Sequence, residues 1–197
     1  PNINAPSLSL FVAGSRNGVT KKQVEELLKK RNVRLVELQV KSIAQDYARE
    51  IARIKTEISK TVQDRRTVKT LLLAVNSLFS RRQTGEKEGE DSCDLSKKIA
   101  SALGEITSWL INQERIANLI LTGGDTAHHV CRALGVNGIL LEKELLPGVP
   151  KGVLVGGPAD GIPVVTKSGG FGPADTFVLI LEILENGVLE GDERDVI

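Results

Sequence analysis

One stretch in the middle of the chain, Ala117–Arg132, constrains the fold more than any other. Its sequence, ANLILTGGDTAHHVCR, begins as an apolar run, passes through Gly123 and Gly124, and continues with helical spacing. This order predicts a buried strand, a tight turn and a helix that begins at Asp125 and Thr126. A strand that turns directly into a helix is the basic unit of a layered α/β fold.

The same alternation of strand and helix patterns runs through the rest of the chain. Short apolar or β-branched runs predict further strands, and apolar residues spaced by three and four predict further helices. The predicted strands cover 7–13, 33–40, 67–75, 138–141, 152–155 and 163–167, and the predicted helices cover 20–28, 42–62, 95–110 and 174–185. We therefore expect one domain, 1–197, with an α/β layered fold and a largely parallel central sheet flanked by helices.

Two helix starts carry residue types that favour capping. Thr20 is followed three residues later by Gln23, which is the spacing of a capping box. Ser42 precedes a long periodic run that ends near Val62, and we predict that it caps a single helix there.

The segment Ser80–Asp94 has a different character. It is charged, interrupted by glycines and without periodicity, so we predict a mobile surface loop over 80–94. A solvated insertion is favoured over a functional lid, because runs of charge usually serve solubility.

The glycine turn after the central strand is suited to binding phosphate. A helix N-terminus presents N–H groups without partners and the positive end of the helix dipole, and both attract anions. A second strand–glycine–helix pattern lies at Val164–Phe177, and two such turns in one domain predict a nucleotide held by its phosphates. For the first turn a structural alternative stays open, because Thr122 and Asp125 have capping-box spacing. Neither turn matches GxxxxGK[ST] or GxGxxG, so neither a Walker-type NTPase nor a dinucleotide fold is supported.

Lys167 is the candidate catalytic residue. It ends a predicted strand directly before Ser168, Gly169 and Gly170, so its ammonium group is expected beside the N–H groups of the second turn. A lysine there can stabilise the negative charge that develops on a transferring phosphoryl group. The alternative is a lysine at a solvent-facing strand end, outside any site.

Two carboxylates stand next to these turns. Asp125 is the predicted Mg²⁺ ligand, directly or through water, and Asp175 is a second candidate. Each is equally suited to be a helix N-terminal acid that the dipole favours. The neighbours His128 and His129 point about 100° apart on a helix, so they do not chelate one metal together.

The composition excludes several classes of function. The net charge of +1 leaves no broad basic face, so we expect no nucleic-acid partner. The two cysteines, Cys93 and Cys131, form neither a disulfide framework nor a metal spacing. The sequence has no leader pattern and no apolar run long enough to cross a membrane, so we expect a cytoplasmic location without a membrane partner. Methionine is absent even at position 1, and we expect the chain to be a piece of a longer protein.

Three motifs taken together resemble one known family. GSRNGVTKKQ at Gly14–Gln23, LTGGDTA at Leu121–Ala127 and TKSGGFGPADTF at Thr166–Phe177 occur in the order and spacing of the C-terminal half of the four-carbon acid sugar kinases. The likeness runs from Leu8 to Leu184. The family's N-terminal half, with its Asp-Asp-x-Thr-Gly substrate motif, has no counterpart in this sequence.

The resemblance implies an ATP-binding domain of a kinase that phosphorylates small sugar acids such as threonate, erythronate or an oxo-tetronate. Carried over motif by motif, the residues implied to bind the nucleotide are Ser15, Gly123, Gly124, Asp125, Thr126, Gly169 and Gly170, with Ser168 beside them. The expected cofactors are ATP and Mg²⁺. The missing domain would position the sugar acid and deprotonate its hydroxyl, so the chain alone is expected to be inactive. A homodimer is a further expectation.

Two other classes of function stay open at this point. The first is an ATP- or ADP-binding module without transfer chemistry inside a larger multifunctional chain. The second is a structural α/β domain whose glycines only shape turns. ATP binding separates the structural domain from the other two, and phosphorylation of a sugar acid by the longer protein separates the kinase from the binding module.

Overall fold

The computed structural model describes residues 7–14, 17–63, 67–78 and 90–186. The first half contains β1 (Leu8–Ala13), α1 (Gly18–Leu27), β2 (Val33–Leu38), α2 (Val40–Gln45), α3 (Tyr47–Gln63), β3 (Thr70–Val75) and a 3₁₀ turn (Asn76–Leu78). The second half contains α4 (Glu90–Gln113), β4 (Ile116–Thr122), α5 (Gly124–Ala133), β5 (Gly138–Leu146), β6 (Val149–Val155), β7 (Pro163–Lys167) and α6 (Thr176–Asn186).

The described strands form one sheet in the order β2-β3-β1-β4-β7-β6-β5. The first five in this order run parallel to one another, whereas β6 and β5 form an antiparallel hairpin at one end. Every residue of β1 and of β3 is buried, which requires cover on both faces of the sheet. The predicted α/β fold with a largely parallel central sheet is therefore confirmed.

The helices form two groups, one on each face of the sheet. α1 packs against α6, and α4 packs against both α3 and α5. The crossover from β1 to β2 and the crossover from β3 to β4 run in opposite directions across the sheet, so right-handed connections place α1 and α4 on opposite faces. The chain therefore leaves β1 toward one face and β4 toward the other, and the region between their carboxyl ends corresponds to the crevice in which open α/β sheets bind ligands.

The long helix predicted over 42–62 is two helices. α2 ends at Gln45, and Asp46 has an extended backbone with φ −151° and ψ 89° before α3 begins. The side chain of Asp46 accepts a hydrogen bond from the backbone N–H of Arg49 at 3.0 Å, as an N-cap does. Ser42 lies inside α2, so its prediction as a cap was wrong. Apolar spacing continued across the break, because both helices present apolar residues to the same core.

The prediction of a surface loop over 80–94 was wrong for its last residues. Residues 80–89 lie outside the described residues, and 90–94 belong to α4. The charges that suggested a loop also suit the solvent face of a helix. There Oδ1 of Asp94 lies 3.9 Å from Nζ of Lys97, three residues later. None of the helices within the described ranges is both long and apolar enough to cross a membrane.

Candidate functional site

The two predicted glycine turns meet at one edge of the sheet. The last residues of three neighbouring strands are in register, with Ala13 of β1 beside Thr122 of β4, and Thr122 beside Lys167 of β7. The segments that leave these strands are therefore adjacent, although they are far apart in sequence. The backbone N–H of Gly123 donates to the carbonyl of Lys167 at 2.9 Å and ties the two turns together.

The start of α5 is an uncapped helix N-terminus in the crevice. Gly123 is its N-cap residue, with φ 98° and no side chain to cap the helix. The first-turn N–H groups of Gly124, Asp125 and Thr126 therefore have no partner inside the helix. The capping-box alternative is wrong, because the hydroxyl of Thr122 is buried and bonds to no group in the described part of the chain. This geometry is suited to an anion.

Gly14, the residue that follows β1, lies directly against α5. A Cβ placed on Gly14 would be 2.2 Å from Oγ1 of Thr126, so only a glycine permits this approach. Ser15, which the resemblance places in the site, lies outside the described residues. Two residues later in the sequence, Asn17 caps α1 by accepting from the N–H of Val19 at 2.8 Å. The N-terminus of α1 is therefore closed by a side chain, unlike that of α5.

Lys167 is buried at this edge of the sheet rather than exposed. The residue is only 4% exposed, so the alternative of a solvent-facing strand end is wrong. Nζ donates to the carbonyls of Ser168 at 2.6 Å and Phe171 at 2.7 Å, and it lies 5.6 Å from the ring centre of Phe177. Burial lowers the pKa of Lys167 to about 8. In this structure the ammonium group folds back under the turn and does not reach past the glycines, so its direct contact with phosphate stays a prediction.

Two polar residues of α1 also hold the second turn, although their spacing along the chain predicted a different role. The hydroxyl of Thr20 donates to the carbonyl of Gly169 at 2.6 Å. Nε2 of Gln23 donates to the carbonyls of Phe171, Gly172 and Pro173 at 2.9, 3.1 and 2.9 Å. Their prediction as a capping box was therefore wrong.

One feature of the sequence indicates that these two side chains bond to another part of the chain. Thr20 and Gln23 share the buried face of α1 with Val24 and Leu27. Polar residues on the apolar face of an amphipathic helix need buried partners. Spacing alone does not name those partners.

The two predicted metal ligands, Asp125 and Asp175, are both exposed carboxylates. Asp125 is exposed in the first turn of α5, and Asp175 is exposed just before α6. The described ranges contain no group of three histidine, cysteine, aspartate or glutamate side chains able to hold a metal. Mg²⁺ commonly takes one or two protein carboxylates together with phosphate oxygens and water. Asp125 therefore fits an ion that binds chiefly through a nucleotide.

A separate groove lies away from this edge. It has a volume of about 750 Å³ and lies between α3, α4 and α5. Glu105 lies in it and accepts from the hydroxyl of Tyr47 at 3.2 Å and from Nζ of Lys55 at 2.9 Å. Burial, with the nearby charge of Glu105, raises the pKa of Tyr47 to about 12. Because neither glycine turn lines this groove, we place the candidate site in the crevice at the strand ends.

Comparison with known proteins gives a family match over most of the chain. Residues 10–177 match the family described as nucleotide-binding C-terminal domain. The D-threonate kinase of Salmonella typhimurium is 32% identical over 191 residues, which cover 89% of this chain and 42% of the kinase. The D-erythronate kinase of Heliobacterium modesticaldum is 25% identical over 186 residues, which cover 89% of this chain and 41% of that enzyme. This chain therefore spans less than half the length of these relatives.

Solved structures agree with the fold. A Bordetella bronchiseptica protein, described as a domain of unknown function with bound citrate and as a domain-swapped dimer, has a TM-score of 0.75 at 30% identity. The match covers 92% of this chain and 42% of that chain. A Haemophilus influenzae protein shares the fold, with a TM-score of 0.64 at 21% identity. That match covers 93% of this chain and 42% of the Haemophilus chain.

Proposed function

This chain belongs to the family of nucleotide-binding C-terminal domains, and on that premise we propose that it binds ATP for a kinase acting on small sugar acids. The relatives that it resembles are named as D-threonate and D-erythronate kinases, and a shorter match is named as a 3-oxo-tetronate kinase. Because the chain matches only part of each of these enzymes, the phosphorylation of a sugar acid is proposed for the longer protein.

One observation supports nucleotide binding best. The uncapped N-terminus of α5 and the glycines of the second turn lie side by side at the ends of β4 and β7, tied by the bond from Gly123 to Lys167. Each turn brings N–H donors to the same crevice, and oriented backbone N–H groups commonly form phosphate-binding sites. We assign Gly124, Asp125 and Thr126 to one phosphate contact and Gly169 with Gly170 to another.

The residues of this chain would hold and orient the phosphates of ATP. The N–H groups of the two turns fix their position, and the dipole of α5 favours their negative charge. Lys167 places a positive charge beneath the second turn, 2.6 Å from the carbonyl of Ser168. When bound, Mg²⁺ supplies further neutralisation of phosphate charge, and Asp125 is the side chain placed to hold it or its water.

The first test is nucleotide binding by this chain with Gly124→Val. A Cβ on Gly124 would meet no atom within 4 Å, and the residue has no left-handed φ, so valine fits the folded protein. Its side chain would stand at the start of α5 where phosphate must approach. We expect the Kd for ADP, measured by calorimetry, to rise about tenfold or more, as when a site loses one or two good hydrogen bonds.

The matched control is Gly138→Val at the start of β5. Gly138 is equally open and lies on the edge strand of the sheet, away from the crevice. This variant should bind ADP as the wild type does. Equal affinity of the wild type and Gly124→Val would remove the start of α5 from the site.

The second test concerns transfer. We expect no turnover of threonate or erythronate by this chain with MgATP, because phosphoryl transfer depends on placing the acceptor in line with the γ-phosphate. The acceptor site belongs, in this proposal, to the part of the relatives that the chain does not match. A coupled assay for ADP release would detect turnover, and a rate dependent on the sugar acid would overturn this division of labour.

The remaining expectations belong to the same proposal. A homodimer is supported by the Bordetella relative, which is described as a domain-swapped dimer. The cytoplasmic location stays a prediction from the sequence. The alternative of a binding module without transfer chemistry predicts ADP binding by this chain and no sugar-acid kinase activity in the longer protein.

A further inference from the structure

We propose that Thr20 and Gln23 of α1, together with Lys167, are positioning residues that aim the second glycine turn at the nucleotide phosphates. This inference rests on the proposed function, because it assigns a role in that same site. The relevant turn is Ser168–Pro173, and the three side chains contact it from its buried side.

The carbonyl groups of this turn point toward those three side chains. Lys167 donates to the carbonyl of Ser168 at 2.6 Å, and Thr20 donates to that of Gly169 at 2.6 Å. The carbonyls of Phe171, Gly172 and Pro173 accept from Gln23, and Phe171 also accepts from Lys167. Five carbonyl groups within six residues are therefore held by buried donors.

The planarity of the peptide bond then fixes the direction of the N–H groups. In a trans peptide the carbonyl of one residue and the N–H of the next point in opposite directions. The carbonyls of Ser168 and Gly169 are directed at Lys167 and Thr20, so the N–H groups of Gly169 and Gly170 are directed away from them. Among the hydrogen bonds of the described residues, these two N–H groups have no acceptor. Both N–H groups are therefore available to donate to a ligand.

The N-cap of α1 also lies close to this turn. Asn17 caps α1, and its Nδ2 would lie 3.2 Å from a Cβ placed on Gly170. The helix that carries Thr20 and Gln23 therefore begins beside the turn that they hold. Loss of a buried donor leaves a carbonyl unpaired, which is costly enough for the turn to rearrange.

The experiment compares isosteric variants that remove the donors. Thr20→Val keeps the shape of the side chain and removes its hydroxyl, whereas Thr20→Ser keeps the hydroxyl and is the control. We expect the Kd for ADP to rise about tenfold in Thr20→Val and to change less than about threefold in Thr20→Ser. Gln23→Met gives the same test from the next turn of α1 and replaces Thr20→Val if that variant does not fold, as judged by its thermal unfolding.

A second readout separates positioning from a general loss of stability. ADP added to the wild type should shift the backbone amide resonances of Gly124, Gly169 and Gly170 in NMR spectra. In folded Thr20→Val, the shifts of Gly169 and Gly170 should shrink while that of Gly124 persists. Unchanged affinity and unchanged shifts in Thr20→Val and Gln23→Met would overturn the inference alone. No ADP binding by the wild type would overturn the proposed function, and the inference with it.

Discussion

Gly14→Ala is expected to raise the Kd for ADP about a hundredfold, because one methyl group would push residue 14 and α5 apart. The new Cβ would lie 2.2 Å from Oγ1 of Thr126 and 2.9 Å from Cδ1 of Leu103. Leu103 can move the end of its side chain, but Thr126 is 4% exposed and lies in the first turn of α5. The clash would therefore displace the N–H groups assigned to phosphate. Losing two hydrogen bonds to the charged phosphate, at about 1.5 kcal/mol each, corresponds to about a hundredfold in Kd.

A second substitution makes this test specific. Thr126→Ala removes the closest atom, so Gly14→Ala/Thr126→Ala should bind ADP about as well as Thr126→Ala alone. Gly18→Ala is the control for alanine in this segment, since a Cβ on Gly18 meets no atom within 4 Å. Calorimetry measures the affinities of the wild type and of these four variants. Wild-type affinity in Gly14→Ala would show that the contact between β1 and α5 does not shape the site.

Gly104→Val is expected to have the largest effect on stability. Gly104 lies on α4 where α5 crosses it, and a Cβ there would be 2.8 Å from the carbonyl oxygen of His129 and 3.0 Å from Cβ of Ala133. Valine gains roughly a few tenths of a kcal/mol of helix propensity over glycine. Overpacking against a neighbouring backbone costs about 1–3 kcal/mol, so the clash outweighs the propensity. The Tm should fall by about 4–8 °C for a net loss of about 2 kcal/mol.

The control for this variant is Ser101→Val. Ser101 is exposed on the same helix, nearly one turn earlier, so the variant adds the same side chain where solvent can accommodate it. Thermal unfolding followed by circular dichroism compares the two. An equal Tm for Gly104→Val and Ser101→Val would mean that the two helices can separate at no cost.

The order of strands and helices was readable from the sequence because it depends on local periodicity. Apolar runs such as Leu71–Leu73 and helical spacing such as Leu103–Ile106–Leu110 reflect burial within one element, and each is buried in the structure. That the two glycine turns lie at the same edge of the sheet was also predictable from the sequence. Turns that follow parallel strands emerge at the same edge of a sheet, so both were expected to face one ligand.

The tertiary structure decided which groups meet at that edge. Thr20 and Gln23 have a spacing that suits a capping box, but their partners lie 148–150 residues away on the second turn. Lys167 ends its strand as predicted, yet the turn folds over it and its ammonium group bonds to carbonyls beneath the glycines. Spacing along a chain reports only neighbours within about one helical turn or one strand. A buried donor takes whichever acceptor the packing brings to it, and that choice is made when α1, β7 and the turn between β7 and α6 come together.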